Sequence, residues 1–254
     1  MNDRNYIIGG KLGDFFHSLY VAKCFFDKNK EKADIFITDN PIYGGDVFTS
    51  KIQDIFEELK GLISKQEYVN KFEILSENIS ADYINLNAWR SSPNLYRTNW
   101  SNLLNMYYGC GISKGAWIKS ENENDLLKNK VIIHHSTVRQ VENFPWEDII
   151  MKNECIFVGF NPNEYEVFKY KHLLYFHKIN TIEEYVELML GCKFFVGNQS
   201  APLAIAHSLG IPRLGALCRD DAYHYIGEEN IHDNLYWISN FDKNIEGIEK
   251  FIKI

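Results

Sequence analysis

Apolar positions along this chain fall into two patterns that take turns: short unbroken runs, and longer stretches at helical spacing. Residues 6–10 (Tyr-Ile-Ile-Gly-Gly) form the first run, a short buried strand ending in a turn. From Asp14 to Phe26 the apolar residues Phe15, Leu19, Ala22 and Phe26 recur three or four apart, which predicts an amphipathic helix. The same reading predicts a strand over 33–38, a Gly-Gly loop at 44–45 and a helix over 50–65 with Ile52, Ile55, Phe56 and Leu59 inward. Strands at 71–75 and 82–87 and a helix at 97–108 complete this half. Residues 109–129 break the pattern: Gly109, Gly111 and Gly115 precede Ser-Glu-Asn-Glu-Asn-Asp, the composition of a linker between domains.

The alternation then restarts. Strands are expected at 131–134 and 155–158, a helix at 163–170, a strand at 173–176 and a helix at 181–190. Strand 194–196, helix 200–209, strand 213–217, a strand near 235–238 and a helix over 243–253 follow. The strand runs are apolar throughout rather than alternating, as expected where both sheet faces are covered. The order β-α-β-α in each half predicts an α/β fold with parallel sheets in two sequential units, 1–115 and 130–254.

Composition narrows the function classes. The chain has 254 residues, 45% apolar and 24% charged, enough to bury a core without disulfide or metal. Its net charge is −7 and its pI about 5.6, which excludes broad affinity for nucleic acid, though a local pocket for one nucleotide needs no overall basicity. Five scattered cysteines without a CxxC pair read as reduced thiols, hence a cytoplasmic protein. The amino terminus lacks an apolar signal core, and no run approaches the roughly 20 apolar residues of a membrane span. Peripheral contact with a membrane stays open for an enzyme acting on a membrane-linked acceptor.

Three segments can carry chemistry. In Lys193–Pro212 a buried strand runs into Gly197-Asn198, followed by Gln199, Ser200 and a helix with Ala201 and Pro202 in its first turn. Backbone N–H groups and the positive dipole end at such a helix start suit a diphosphate; the alternative is a capped strand–turn–helix with Ser200 as N-cap. At Gly9-Gly10-Lys11-Leu12-Gly13-Asp14, glycines (Gly10 and Gly13 among them) allow close approach of a ligand. Asp14 is either a helix cap or a general base, and His17 one turn on either packs or touches substrate. The glycines do not spell GxGxxG, so a dinucleotide fingerprint is rejected. At His134-His135-Ser136-Thr137-Val138-Arg139 two hydroxyls, Ser136 and Thr137, and the Arg139 guanidinium are phosphate ligands by type. The adjacent histidines point to opposite faces of a strand, so no metal site is expected. The loop Gly159–Glu164 either reaches a base or ribose or is capped by Asn163. Trp89, Tyr96 and Trp100 either stack on sugar rings, with Arg90 and Arg97 meeting anionic groups, or form core and rim. No G-x-S-x-G elbow, Walker lysine motif or Cys–His nucleophile pattern occurs.

Two of these segments resemble the glycosyltransferase family that includes the lipopolysaccharide heptosyltransferases. That family opens with a loop like LGD-x-x-H, matched by Leu12-Gly13-Asp14-Phe15-Phe16-His17, and carries a late loop like GNDSGPxHLAxALGxP, matched without a gap by Gly197–Pro212. Phe144-Pro145-Trp146-Glu147 is similar to its short Trp/Pro segment. The resemblance implies two Rossmann-like domains of GT-B type facing each other across a cleft, an acceptor domain over 1–115 and a donor domain over 130–254. It implies inverting, metal-independent transfer from a nucleotide diphosphate sugar to a glycan, lipid-linked or protein acceptor, without a cofactor. Asp14 would deprotonate the acceptor hydroxyl, while Ser136, Thr137, Arg139 and Asn198–Pro202 would hold the donor. Gly10, Gly13, His17, Arg90 and Arg97 would line the acceptor side or the cleft. Gln199, Ala201 and Ala204 replace the family's usual Asp, Gly and His. Losing the acid removes repulsion from a diphosphate, whereas losing the His removes a donor contact. These departures keep two other readings open: a silent sugar-nucleotide or glycan binder, and an epimerase or hydrolase on the same fold.

Overall fold

The computed structural model describes residues 4–43, 50–76, 82–95 and 97–218, and the backbone of 235–238. Its first half comprises β1 (Arg4–Ile8), α1 (Leu12–Asn29), β2 (Ala33–Ile37), α2 (Ile52–Ile63), β3 (Val69–Ile74), β4 (Ile84–Asn85) and α3 (Trp100–Tyr108). The four strands pair in parallel in the order β3-β2-β1-β4. The second half comprises β5 (Val131–His134), α4 (Trp146–Lys152), β6 (Cys155–Gly159), α5 (Pro162–Glu166), β7 (Tyr175–Lys178), α6 (Ile182–Gly191), β8 (Phe194–Asn198), α7 (Ala201–Ser208), β9 (Arg213–Leu217) and β10 (Leu235–Ile238). Its six parallel strands run β10-β9-β8-β5-β6-β7. Counted from β5, this is the doubly wound order 3-2-1-4-5-6, and the smaller sheet has its first four strands. The expected α/β class with two parallel sheets is observed.

Strand order creates one switch point per sheet, between β1 and β4 and between β5 and β8, where successive connections leave in opposite directions. Ligands of open α/β sheets bind beyond the carboxyl ends of strands at such points. The central strands β5, β8 and β9 are buried along their length; the edge strands β3 and β7 alternate or lie partly exposed, contrary to the expectation of uniformly apolar runs.

Several boundaries differ from the pattern-based reading. Helix α4 stands between β5 and β6, where no helix was expected; parallel neighbours need a crossover, and Trp146, Ile149 and Ile150 supply its buried stripe. The expected helix 163–170 is the single turn α5, capped by Asn161 rather than Asn163, since Asn161 Oδ1 accepts from Asn163 N at 3.0 Å. Strand β7 begins two residues late because 171–173 forms a 3-10 turn. Helix α3 starts at Trp100, where the Asn99 side chain accepts from Asn102 N. The loop at 44–45, Tyr96 and helix 243–253 lie outside the described residues.

The segment 109–129 is less open than its composition suggests. Cys110, Trp117, Ile118 and Leu127 are buried. The backbone N–H groups of Trp117 and Ile118 both donate to Ser208 O, and the Trp117 indole donates to Phe16 O at 2.7 Å. Lys119 and Gln66 exchange hydrogen bonds of 2.9 Å. The segment is thus a strap fastened to α1, to α7 and to Gln66 just beyond α2, and one buried apolar cluster contains residues from both halves of the chain.

Candidate functional site

At the first switch point β1 leads into Gly9 and Gly10, the latter at φ 88°, in the left-handed region that glycine tolerates. Lys11 occupies the N-cap position of α1, so Asp14 is not the cap; it lies in the first turn, where the helix dipole favours a carboxylate. A 3-10 turn over Ala88–Ser91 follows β4 and carries Arg90, whose guanidinium donates to the Asp14 carboxylate. Arg90 also lies 4.7 Å over the Trp89 ring. Asn87, just before this turn, donates from its side chain to Tyr43 O.

Trp89 and Trp100 are buried, so both belong to the core. His17 is buried with them: its ring stacks on Trp100 at 4.2 Å, and Nε2 is 3.3 Å from His207 Nδ1 of α7. Arg97 is exposed in the turn that precedes α3.

At the second switch point Asn198 ends β8, fully buried. Its amide reaches across to the β5 loop, accepting from Ser136 N and donating to Ser136 O, both at 2.8 Å, and to Val138 O at 2.9 Å. Asn198 therefore shapes the loop that presents exposed Thr137 and Arg139, the latter at φ 59°. Ser200 stands at the N-cap of α7 without capping it; its hydroxyl donates back to Asn198 O at 3.1 Å. The first turn of α7, with Ala201 and Pro202, keeps its dipole end without a side-chain cap. Gln199 is buried, and its Oε1 has no hydrogen-bond partner.

The histidine pair separates as strand geometry requires. His134 packs on Phe157 and Tyr185, and His135 on Trp146 and Phe168. Burial pushes His134 down to about 4; its Nδ1 lies 3.1 Å from Val158 O, a pure acceptor, so Nδ1 carries the proton. His135 is also pushed to about 4, by burial and then by His134. Glu164 Oε2 lies 3.7 Å from His134 Nε2, but with the imidazole neutral this is not an ion pair. Burial raises the Glu164 carboxyl, and a hydrogen bond from Ser136 opposes the rise.

The two switch points meet through helix starts. A Cβ built on Gly13 would lie 3.5 Å from Ala201 Cα and 3.6 Å from Ala204 Cβ, so α1 and α7 cross where only small residues fit. Asp14 therefore stands one residue from the contact with the first turn of α7. The pairing of Arg90 with Asp14 and the clamp of Asn198 on Ser136 had no signal in local sequence, because each joins residues more than 60 apart.

No protein-family model and no curated protein sequence matches this chain. Solved structures do. The E. coli heptosyltransferase WaaC with ADP-2-deoxy-2-fluoro heptose is similar over 99% of both chains, at 9% identity and a TM-score of 0.51. The glycosyl transferase family 9 protein from Veillonella parvula is similar over 99% of this chain and 89% of its own, at 11% identity and a TM-score of 0.58. The dodecameric iron-containing heptosyltransferase TibC with ADP-D-beta-D-heptose is similar over 91% of this chain and 64% of its own, at 12% identity and a TM-score of 0.61. At these identities the likeness is one of fold: this chain has the fold of the heptosyltransferases and family 9 glycosyltransferases.

Proposed function

We propose that the chain is a glycosyltransferase that moves a sugar from a nucleotide diphosphate sugar to an acceptor hydroxyl. The observation that carries this reading is the meeting of Asp14, held by Arg90, with the first turn of α7 through the Gly13–Ala201 contact. A transferase needs a base at the attacking hydroxyl and positive ends where the leaving diphosphate gains charge. Asp14 takes the acceptor proton, the acceptor oxygen attacks the anomeric carbon, and the bond from that carbon to the diphosphate breaks with inversion. The α7 dipole, Ser136, Thr137 and Arg139 stabilise the departing nucleoside diphosphate; one such donor is worth roughly 3–4 kcal/mol in other enzymes.

In this reading 1–115 is the acceptor domain and 130–254 the donor domain, facing each other across a cleft in a cytoplasmic, metal-independent enzyme. Arg90 orients Asp14, and Gly10, Gly13 and Arg97 border the acceptor. His17 and Asn198 act by holding α1 against α7 and the 136–139 loop in place. Gln199 sets a neutral amide where a carboxylate is usual, which adds no repulsion toward the diphosphate, whereas Ala204 lacks the usual imidazole contact, so the donor differs from ADP-heptose in its nucleotide or its sugar.

A thermal-shift screen of nucleotide diphosphate sugars tests the reading. A donor at 100 times its Kd adds roughly 2.7 kcal/mol of stability. Arg139→Ala should weaken that donor by about 1.5–3 kcal/mol. Transfer should need an acceptor and persist in excess chelator. Turnover without acceptor would make the protein an epimerase or hydrolase; binding without turnover would make it a silent binder.

A further inference from the structure

The longest acid-free stretch of the chain runs from Tyr83 to Ser120, with no Asp or Glu between Asp82 and Glu121 in a protein of net charge −7. Within it lie the end of α3 and the loop behind it. There Met106 is 60% exposed, Ile112 58% and Tyr107 40%, whereas Leu103 and Leu104 on the inner face are fully buried. Gly109 closes the helix in the left-handed conformation, and Gly111 N bonds to Asn105 Oδ1 at 2.8 Å, turning the chain back so that Ile112 follows directly behind the helix end.

Cations flank these apolar side chains. Lys114 is exposed two residues past Ile112. Lys28 is exposed in the last turn of α1, the helix that packs against α3 and whose Asp27 accepts from the Ser113 hydroxyl of this loop. Neither lysine has an ion-pair partner among the described residues. The nearby acid Asp27 is engaged by Lys23 and by the Ser113 hydroxyl. The surface is therefore aliphatic and aromatic with unpaired positive charge, the combination that partitions into an anionic lipid interface. It is also continuous with the proposed acceptor side: the Tyr107 hydroxyl lies 3.4 Å from Ser91 Oγ, the neighbour of Arg90.

We infer that the end of α3, with Met106, Tyr107 and Ile112 flanked by Lys28 and Lys114, docks the protein on an anionic lipid surface. Under the proposed transferase reading, on which this consequence alone rests, docking there brings a lipid-carried acceptor toward Asp14. Two lysines are too few to hold the protein by charge, so the apolar side chains must contribute.

Co-sedimentation with phosphatidylglycerol–phosphatidylcholine vesicles, against phosphatidylcholine alone, tests docking without any catalysis, so its failure is separable from failure of the transferase reading. The protein should bind the anionic vesicles preferentially and be released by salt. Lys28→Glu with Lys114→Glu should weaken partitioning by at least about 30-fold, at roughly fivefold per charge removed. Met106→Ser with Ile112→Ser should weaken it on the order of 10-fold, and because all four side chains are exposed the melting temperature should hold. No binding to anionic vesicles, or equal binding by both double variants, overturns the inference. So does a wild-type dimer in light scattering that Met106→Ser with Ile112→Ser makes monomeric, because the face then belongs to a second copy of the chain.

Discussion

The Arg90 guanidinium donates to the Asp14 carboxylate, joining the turn after β4 to the first turn of α1 across 76 positions of sequence. Both side chains remain partly open to solvent, 22% and 23% exposed, so the pair adds little to stability and acts by fixing where the carboxylate points. Asp14→Asn should melt within about 1 kcal/mol of wild type and bind donor normally, while transfer falls on the order of 10²–10⁴-fold. Arg90→Ala should lower kcat less, and the double variant should be no slower than Asp14→Asn alone, because positioning has no effect once the base is gone. Steady-state kinetics of the three variants decide it. Strictly additive losses would show that Arg90 acts on something other than Asp14.

Asn198 offers a second test, since its amide serves Ser136 N, Ser136 O and Val138 O from a fully buried position. Asn198→Ala leaves those groups without their partner and should cost about 3 kcal/mol in urea unfolding. The freed loop should also weaken nucleotide diphosphate binding by at least roughly 10-fold, a loss calorimetry would read directly. Loss of stability with unchanged affinity would confine Asn198 to the fold.

The crossing of α1 and α7 makes Gly13 selective about size. A methyl at 3.5 Å from Ala201 Cα is in ordinary contact, so Gly13→Ala should be neutral or gain up to about 1 kcal/mol from the better helix former. Gly13→Leu has nowhere to place three further carbons and should lose about 1–3 kcal/mol. Thermal melts of the two variants check this; equal stability would mean that the helices separate readily.

Buried histidines set a pH dependence. The folded-state value of His134, about 4, lies below its ordinary 6.5, so the unfolded chain binds more protons between these limits. Stability from this group is full above about pH 6.5 and falls as pH drops toward 4, by roughly 3 kcal/mol over the window. His135 shifts in the same direction, and burial, then Arg213 and His17, hold His207 well below its ordinary value. Urea midpoints at pH 7 and 5 should show the loss, and His134→Gln, which can still donate to Val158 O, should lose less. An equal acid loss in that variant would assign the effect to His135 and His207.

Much of this protein was legible in its sequence because the relevant physics is local. Unbroken apolar runs and three-to-four spacing marked β1, α1, β2, α2, β5, β8, α7 and β9 to within a few residues, since burial of one stripe or of both faces leaves a periodic trace. The shorter elements were missed or misplaced, α4 and α5 among them, because one or two turns bounded by loops carry too few positions for a period. The glycine loop before Asp14 and the turn at Gly197–Ser200 were also visible, as strand ends that feed helices.

Strand order was not visible, because hydrogen bonding between β1 and β4, or between β5 and β8, leaves no mark on either strand alone. Yet order is what brings Arg90 to Asp14 and Asn198 to Ser136. Local sequence likewise allowed Asp14 and Ser200 as caps and Trp89 and Trp100 as sugar platforms. The tertiary structure moved Asp14 inside the helix, turned the Ser200 hydroxyl back to Asn198 and buried both tryptophans. Sequence alone determined the elements and the chemical types at their ends; the packing of α1 on α7, a balance of size and contact over the whole molecule, decided which of those groups meet.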